Sequence, residues 1–132
     1  MVKQVEVVGA VIVRDGKILC AQRGANGALG GKWEFPGGKI EPGEDARQAL
    51  VRELDEELHC EIEVGDFVTR TTYVYPFATV SLTTFRCKLV SGDPELTEHE
   101  AVVWLDPKEL LILDWAPADV PAVELLVQEH YS

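Results

Sequence analysis

A chain of 132 residues, 46% hydrophobic and 27% charged, has the size and composition of one ordered domain, and residues 1–132 are expected to form a single unit. Its net charge of −11 argues against a nucleic-acid polymer or an anionic membrane as partner. A small polyanion remains compatible with that charge, provided metal cations sit between it and an acidic site.

Met1 to Gln4 is polar and leads into an apolar run ending at Val13. That run is too short to cross a bilayer and no cleavage site follows it, so a cytoplasmic protein is expected. Val5 to Val13 is rich in β-branched residues and reads as a buried strand. Asp15-Gly16 is a hairpin turn signal, with Ile18 to Arg23 as the return strand. Gly24 to Gly31 contains four glycines and reads as a flexible loop. Trp33 to Phe35 forms a short strand that Pro36-Gly37-Gly38 breaks. A helix is predicted over Asp45 to His59, where Ala46, Ala49, Leu50 and Leu54 recur at helical spacing. Phe67 to Tyr75 and Thr79 to Val90 alternate as strands around a turn at Pro76. After a turn at Gly92-Asp93-Pro94 comes a short strand, Ala101 to Leu105. Asp106-Pro107 resembles a helix start, and Asp119 caps a last helix from Val120 to His130. Strands flanking one long helix, without regular βα alternation, indicate an α+β fold and fit a Rossmann domain poorly. Cys20, Cys60 and Cys87 form no CxxC pair, so they read as small core residues.

The chemistry concentrates on the first helix. Glu53, Glu56 and Glu57 stand at i, i+3 and i+4 and share one face. At about 100° per residue, that face lies within roughly 60° of Ala46, Ala49 and Leu50, so the carboxylates point inward. Gln48, Arg52 and Asp55 are expected to point to water. Like charges at this spacing repel, and burying them unpaired is costly, so a compensating hard cation, Mg²⁺ or Mn²⁺, is implied. A solvated acidic surface is the competing reading. Gly37-Gly38 upstream permits close backbone approach, but Lys39-Ile40 rules out a Walker-type phosphate loop.

These residues resemble the signature of the Nudix hydrolases. Gly38 is followed by five residues, then Glu44, then seven residues, then Arg52-Glu53, Leu54, Asp55, Glu56-Glu57 and Leu58. His59 stands where the family has glycine, and Cys60 takes the following aliphatic slot. Trp33 to Lys39, Val103-Trp104 and Ala116 to Asp119 also look like MutT-type members. The resemblance implies an α/β/α sandwich with a mixed sheet. It implies Mg²⁺-dependent conversion of a nucleoside triphosphate to monophosphate and pyrophosphate, in sanitising the nucleotide pool. By the same analogy Glu53, Glu56 and Glu57 hold the metal, helped by a backbone carbonyl near Gly37 or Gly38 and by Glu98 from the loop before Trp104. Arg52 orients the carboxylates and Glu44 supports them. Either Glu53 or Glu98 acts as general base. Arg23, Glu34, Phe35, Lys39 and Asp119 fall on the substrate side, though Phe35 also suits plain core and Lys39 plain solvent.

At the glycine slot, His59 is expected to cap the helix in the left-handed conformation, at a cost on the order of 1 kcal/mol. Asp119 stands where MutT members specific for oxidised guanine carry asparagine. Ionised aspartate only accepts hydrogen bonds, which places (d)CTP beside 8-oxo-dGTP as substrate. The alternatives are a nucleoside diphosphate derivative such as ADP-ribose, a silent nucleotide-binding domain, and a calcium-binding acidic domain, the last without an EF-hand pattern. The chain is expected to be a monomer or homodimer.

Overall fold

The computed structural model describes residues 3–130. Strand β1 (Gln4–Arg14) organises the sheet. Its C-terminal end pairs antiparallel with β2 (Lys17–Gln22) across a turn in which Asp15 and Gly16 both have positive φ, 53° and 77°. That is the primed hairpin geometry an Asp-Gly pair favours. Along its other edge β1 runs parallel to β6 (Thr79–Ser91), which pairs antiparallel with β5 (Glu61–Val74), and this mixture makes the sheet mixed. β7 (Ala101–Leu105) and the short β3 (Trp33–Glu34) flank β2.

β1 and β2 share only the pairs Val13↔Ile18 and Arg14↔Lys17, and then part. The segment after β3 crosses that gap: Pro36 accepts the Ala10 N–H at 2.8 Å, and β4 (Gly37–Lys39) pairs with Val7, Val8 and Gly9 of β1. The break expected at Pro36-Gly37-Gly38 is thus confined to Phe35-Pro36, and the glycines rejoin the sheet. They carry no side-chain alternation to signal a strand. A Cβ on Gly37 would lie 1.9 Å from the Val8 carbonyl oxygen, so only glycine fits that approach.

Helix α1 (Ala46–Leu58) is closed at both ends by its sequence. Asp45 accepts from the Gln48 N–H while the Gln48 side chain accepts from the Asp45 N–H, a capping box. His59 ends the helix at φ 53°, ψ 40°, the left-handed cap expected of the residue in the glycine slot. Ala49, Leu50, Leu54 and Leu58 bury against Val8, Ala10, Ile12 and Leu19 on one face of the sheet. The alternate residue Val11, with Ile18 and Cys20, faces the other way, against Leu110, Trp115 and helix α2 (Val120–His130) through Ala122, Val123 and Leu126. Helix, sheet and helix therefore form the expected three layers.

Three boundaries differ from the sequence reading. β5 begins at Glu61 rather than Phe67, through a stretch whose register shifts between Val64 and Phe67 blur the alternation. Pro107–Ile112 is a 3₁₀ rather than an α-helix. Asp119 closes a separate 3₁₀ turn, Pro117–Asp119, and its side chain does not cap α2. Cys20, Cys60 and Cys87 are buried free thiols; burial pushes Cys20 and Cys87 up to about 12. Among the described residues, no helix is long and apolar enough to cross a membrane.

Candidate active site

The three helix carboxylates divide by depth. The side chains of Glu53 and Glu57 are 15% and 11% exposed, whereas that of Glu56 is 59% exposed at the rim. Glu57 Oε2 has no hydrogen-bond partner among the described residues. Burial pushes the Glu57 carboxyl up to about 9, assisted by a hydrogen bond with Glu53 and the negative charges of Glu53, Glu34 and Glu98. Gly38 brings β4 against this pair: a Cβ there would lie 2.4 Å from Glu53 Oε2.

Arg52 does not point to water. Its side chain, 23% exposed, turns back along α1 and clamps the site. Nε and Nη2 donate to the two carboxyl oxygens of Glu44 at 3.0 and 2.6 Å. Nη1 donates to Glu53 at 2.8 Å and Glu56 at 3.2 Å, and Nη2 also reaches the Lys39 carbonyl at 3.0 Å. Long helical side chains lean toward the N-terminus, which a wheel drawn from Cα directions misses. The Arg52 hydrogen bond, reinforced by the Glu41 N–H, lowers Glu44 to about 2, and the same bond raises the Arg52 guanidinium further.

A cleft of about 1140 Å³ opens beside these carboxylates. Its lining includes Glu34, Glu57, Glu98, Gly37 and Gly38, with Arg23, Lys39 and Lys3 as cationic groups. Part of the lining is apolar: Val7, Leu29 and Val80 pack on Tyr75, Leu82 and Ala118. Asp119 sits there, buried, with Oδ2 accepting the Phe35 N–H at 3.0 Å. Burial raises its carboxyl well above the usual range, and the Phe35 N–H opposes that rise. The Phe35 ring lies in the core beside Trp115, with centroids 4.8 Å apart, so its backbone rather than its ring meets Asp119.

The donor set fits a hard divalent ion: oxygen ligands, an unpartnered buried carboxylate oxygen, and like charges that need compensation. Among the described residues, no three His, Cys, Asp or Glu side chains are arranged to hold a metal ion by themselves. Mg²⁺ commonly keeps several waters and takes phosphate oxygens of a substrate beside its carboxylates, so the protein need not supply the whole shell.

The NUDIX domain pattern matches residues 3–126. This chain belongs to the Nudix family. It is a hydrolase of the MutT-like branch. It is 47% identical over 122 residues to the CTP pyrophosphohydrolase of Escherichia coli, covering 92% of this chain and 90% of that protein. It is 43% identical to the putative 8-oxo-dGTP diphosphatase 2 of Mycobacterium tuberculosis, covering 90% and 84%. Among solved structures, the MutT protein of methicillin-resistant Staphylococcus aureus superposes with a TM-score of 0.80 at 50% identity, covering 98% and 99%. Nudix hydrolases as a family use divalent metal ions.

Two members of this Nudix site were not foreseen from sequence. The His99 side chain is 6% exposed; its Nε2 donates to Glu34 Oε2 at 2.9 Å, while Glu34 Oε1 accepts from Arg23 at 3.0 Å. Tyr75 Oη accepts the Ala118 N–H at 2.9 Å and fixes the residue before Asp119. The only sequence signal for His99 was its place beside Glu98. Tyr75 read as a strand end.

Proposed function

We propose that this chain is a Mg²⁺-dependent pyrophosphohydrolase that converts a nucleoside triphosphate to its monophosphate and pyrophosphate, clearing unwanted nucleotides from the pool. The observation carrying this reading is the cleft itself, which is lined by the carboxylates Glu34, Glu57 and Glu98, the cations Arg23 and Lys39, and an apolar group beside the buried Asp119. Glu53, Glu56, Glu57 and Glu98, with a carbonyl from Gly37 or Gly38, would hold the metal. When bound, the ion supplies neutralisation of phosphate charge and polarisation of the attacking water. Arg52 fixes Glu53 and Glu56 while Glu44 fixes Arg52, so the carboxylates are oriented before substrate arrives. Glu53 accepts the proton from water as a bond to phosphorus forms and the phosphoanhydride bond breaks, with pyrophosphate leaving; Glu98 is the second candidate for that proton. Arg23 and Lys39 offset the phosphate charge.

Asp119 is the base reader. One oxygen is committed to Phe35, and the other, when ionised, accepts from an exocyclic amine such as that of cytosine. The E. coli relative named for CTP supports this ranking. 8-oxo-dGTP is the second candidate substrate, which the name of the Mycobacterium tuberculosis relative supports. The test is pyrophosphate release with Mg²⁺ across the common (d)NTPs, 8-oxo-dGTP and ADP-ribose, for the parent and Asp119→Asn. A preference for cytidine nucleotides that Asp119→Asn shifts toward 8-oxo-dGTP supports the reading. A ranking unchanged by the substitution removes Asp119 from it, and turnover of ADP-ribose alone overturns the substrate class.

A further inference from the structure

Residues 92–100, between β6 and β7, carry no regular structure, yet hydrogen bonds tie them to three other elements. The Glu95 N–H donates to the Leu58 carbonyl at 2.9 Å, and the Thr97 hydroxyl donates to the Glu57 carbonyl. Both acceptors belong to the last turn of α1, whose carbonyls have no partner within the helix. His99 Nε2 donates to Glu34 of β3 at 2.9 Å and lies 3.9 Å from Glu57 Oε2. The Glu100 N–H donates to the Gln22 carbonyl of β2 at 2.8 Å.

Glu98 stands between the two side-chain anchors. It is itself exposed, lines the cleft, and contributes negative charge at Glu57. An exposed loop glutamate is mobile in backbone and side chain, and ordering it on a ligand costs conformational entropy. The anchors on either side remove the backbone part of that freedom beforehand. They also span from the carboxylate helix to Glu34 of β3, so the Glu98 backbone is referenced to both elements.

We propose that Thr97 and His99 are positioning residues for Glu98, locking the 94–100 segment between α1 and β3 so that the Glu98 carboxylate faces Glu57. This rests on the metal or base role given to Glu98 above. Neither residue needs to touch the nucleotide.

The test is a set of double-mutant cycles: His99→Leu and Thr97→Val, each alone and combined with Glu98→Gln, with His99→Gln as a conservative variant whose amide still donates to Glu34. The measurements are kcat, KM, melting temperature, and Mn²⁺ affinity by calorimetry without nucleotide. His99→Leu and Thr97→Val should each lower kcat and Mn²⁺ affinity by about tenfold, the scale of losing a group that orients a ligand, with KM within about threefold. His99→Gln should recover most of both. In the Glu98→Gln background the same substitutions should change either quantity by less than about twofold, because the group they position is gone. A full tenfold drop persisting there, or no drop in the parent background, overturns the proposal. Glu98→Gln matching the parent in kcat and Mn²⁺ affinity defeats the Glu98 assignment first and the positioning with it. Should His99→Leu fail to fold, the Thr97→Val cycle decides alone.

Discussion

Replacing Glu57 by glutamine should make the metal-free protein more stable at neutral to alkaline pH while destroying its activity. In the folded chain burial, Glu53, Glu34 and Glu98 raise the Glu57 carboxyl from 4.5 to about 9. Between those values the native state keeps a proton that the unfolded chain has released. Stability therefore falls as pH rises through this window. At about 1.36 kcal/mol per pH unit, the loss from about pH 5 to pH 8 is at most about 4 kcal/mol. Sharing of the proton with Glu53 and residual solvent contact reduce that to about 1–3 kcal/mol, or roughly 3–10 °C in melting temperature for a chain of this size. The amide of Glu57→Gln carries no ionisation cost and donates to Glu53 as the protonated acid does. Thermal unfolding by circular dichroism at about pH 5 and pH 8, in EDTA and in excess Mg²⁺, isolates the effect as the difference between variant and parent. The parent should lose stability with pH in EDTA and regain it in Mg²⁺; the variant should show neither change and should melt above the parent at pH 8 in EDTA. A variant that melts below the parent at pH 8, or follows the same fall with pH, would refute the idea that an uncompensated buried carboxylate sits there.

Three further substitutions probe the supports of the site. Gly38→Ala places a methyl group where Glu53 now stands, so kcat should fall by about 10²-fold with circular dichroism unchanged; near-parent turnover would separate Gly38 from Glu53. Arg52→Lys cannot hold Glu44 with two bonds while also reaching Glu53, Glu56 and the Lys39 carbonyl, and should cost about 1–3 kcal/mol in urea unfolding and about tenfold or more in kcat. His59→Gly relieves a left-handed non-glycine cap at φ 53° and should raise stability by about 1 kcal/mol in thermal melts with turnover unchanged; a loss of stability would mean that the His59–Glu95 contact outweighs the strain.

Spacing within one helix made the acidic face readable. Glu53, Glu56 and Glu57 lie on it whatever the rest of the chain does, and Ala49, Leu50 and Leu54 orient it. The hairpin at Asp15-Gly16 was legible for the same local reason, and the left-handed cap at His59 from its place in the Nudix glycine slot. What local spacing missed were individual side-chain contacts made across the fold. Asp119 has the chemistry of an N-cap, yet its carboxyl bonds to Phe35, 84 positions away in the chain. Arg52 sits on the outer side of a helical wheel, yet its length lets four acceptors draw it inward. Gly37 and Gly38 join the sheet without any side chain to advertise a strand. His99 carries no local pattern, because its partner Glu34 is brought to it by the pairing of β2 with both β3 and β7.

The reaction proposed for the cleft breaks a phosphoanhydride bond so as to release pyrophosphate from a nucleoside triphosphate. Product analysis by phosphorus NMR of CTP incubated with the protein and Mg²⁺, beside a Glu53→Gln control, tests it most directly. The parent should yield cytidine monophosphate and pyrophosphate in equal amounts, and the control neither. Cytidine diphosphate with inorganic phosphate, or equal turnover by the control, would contradict it.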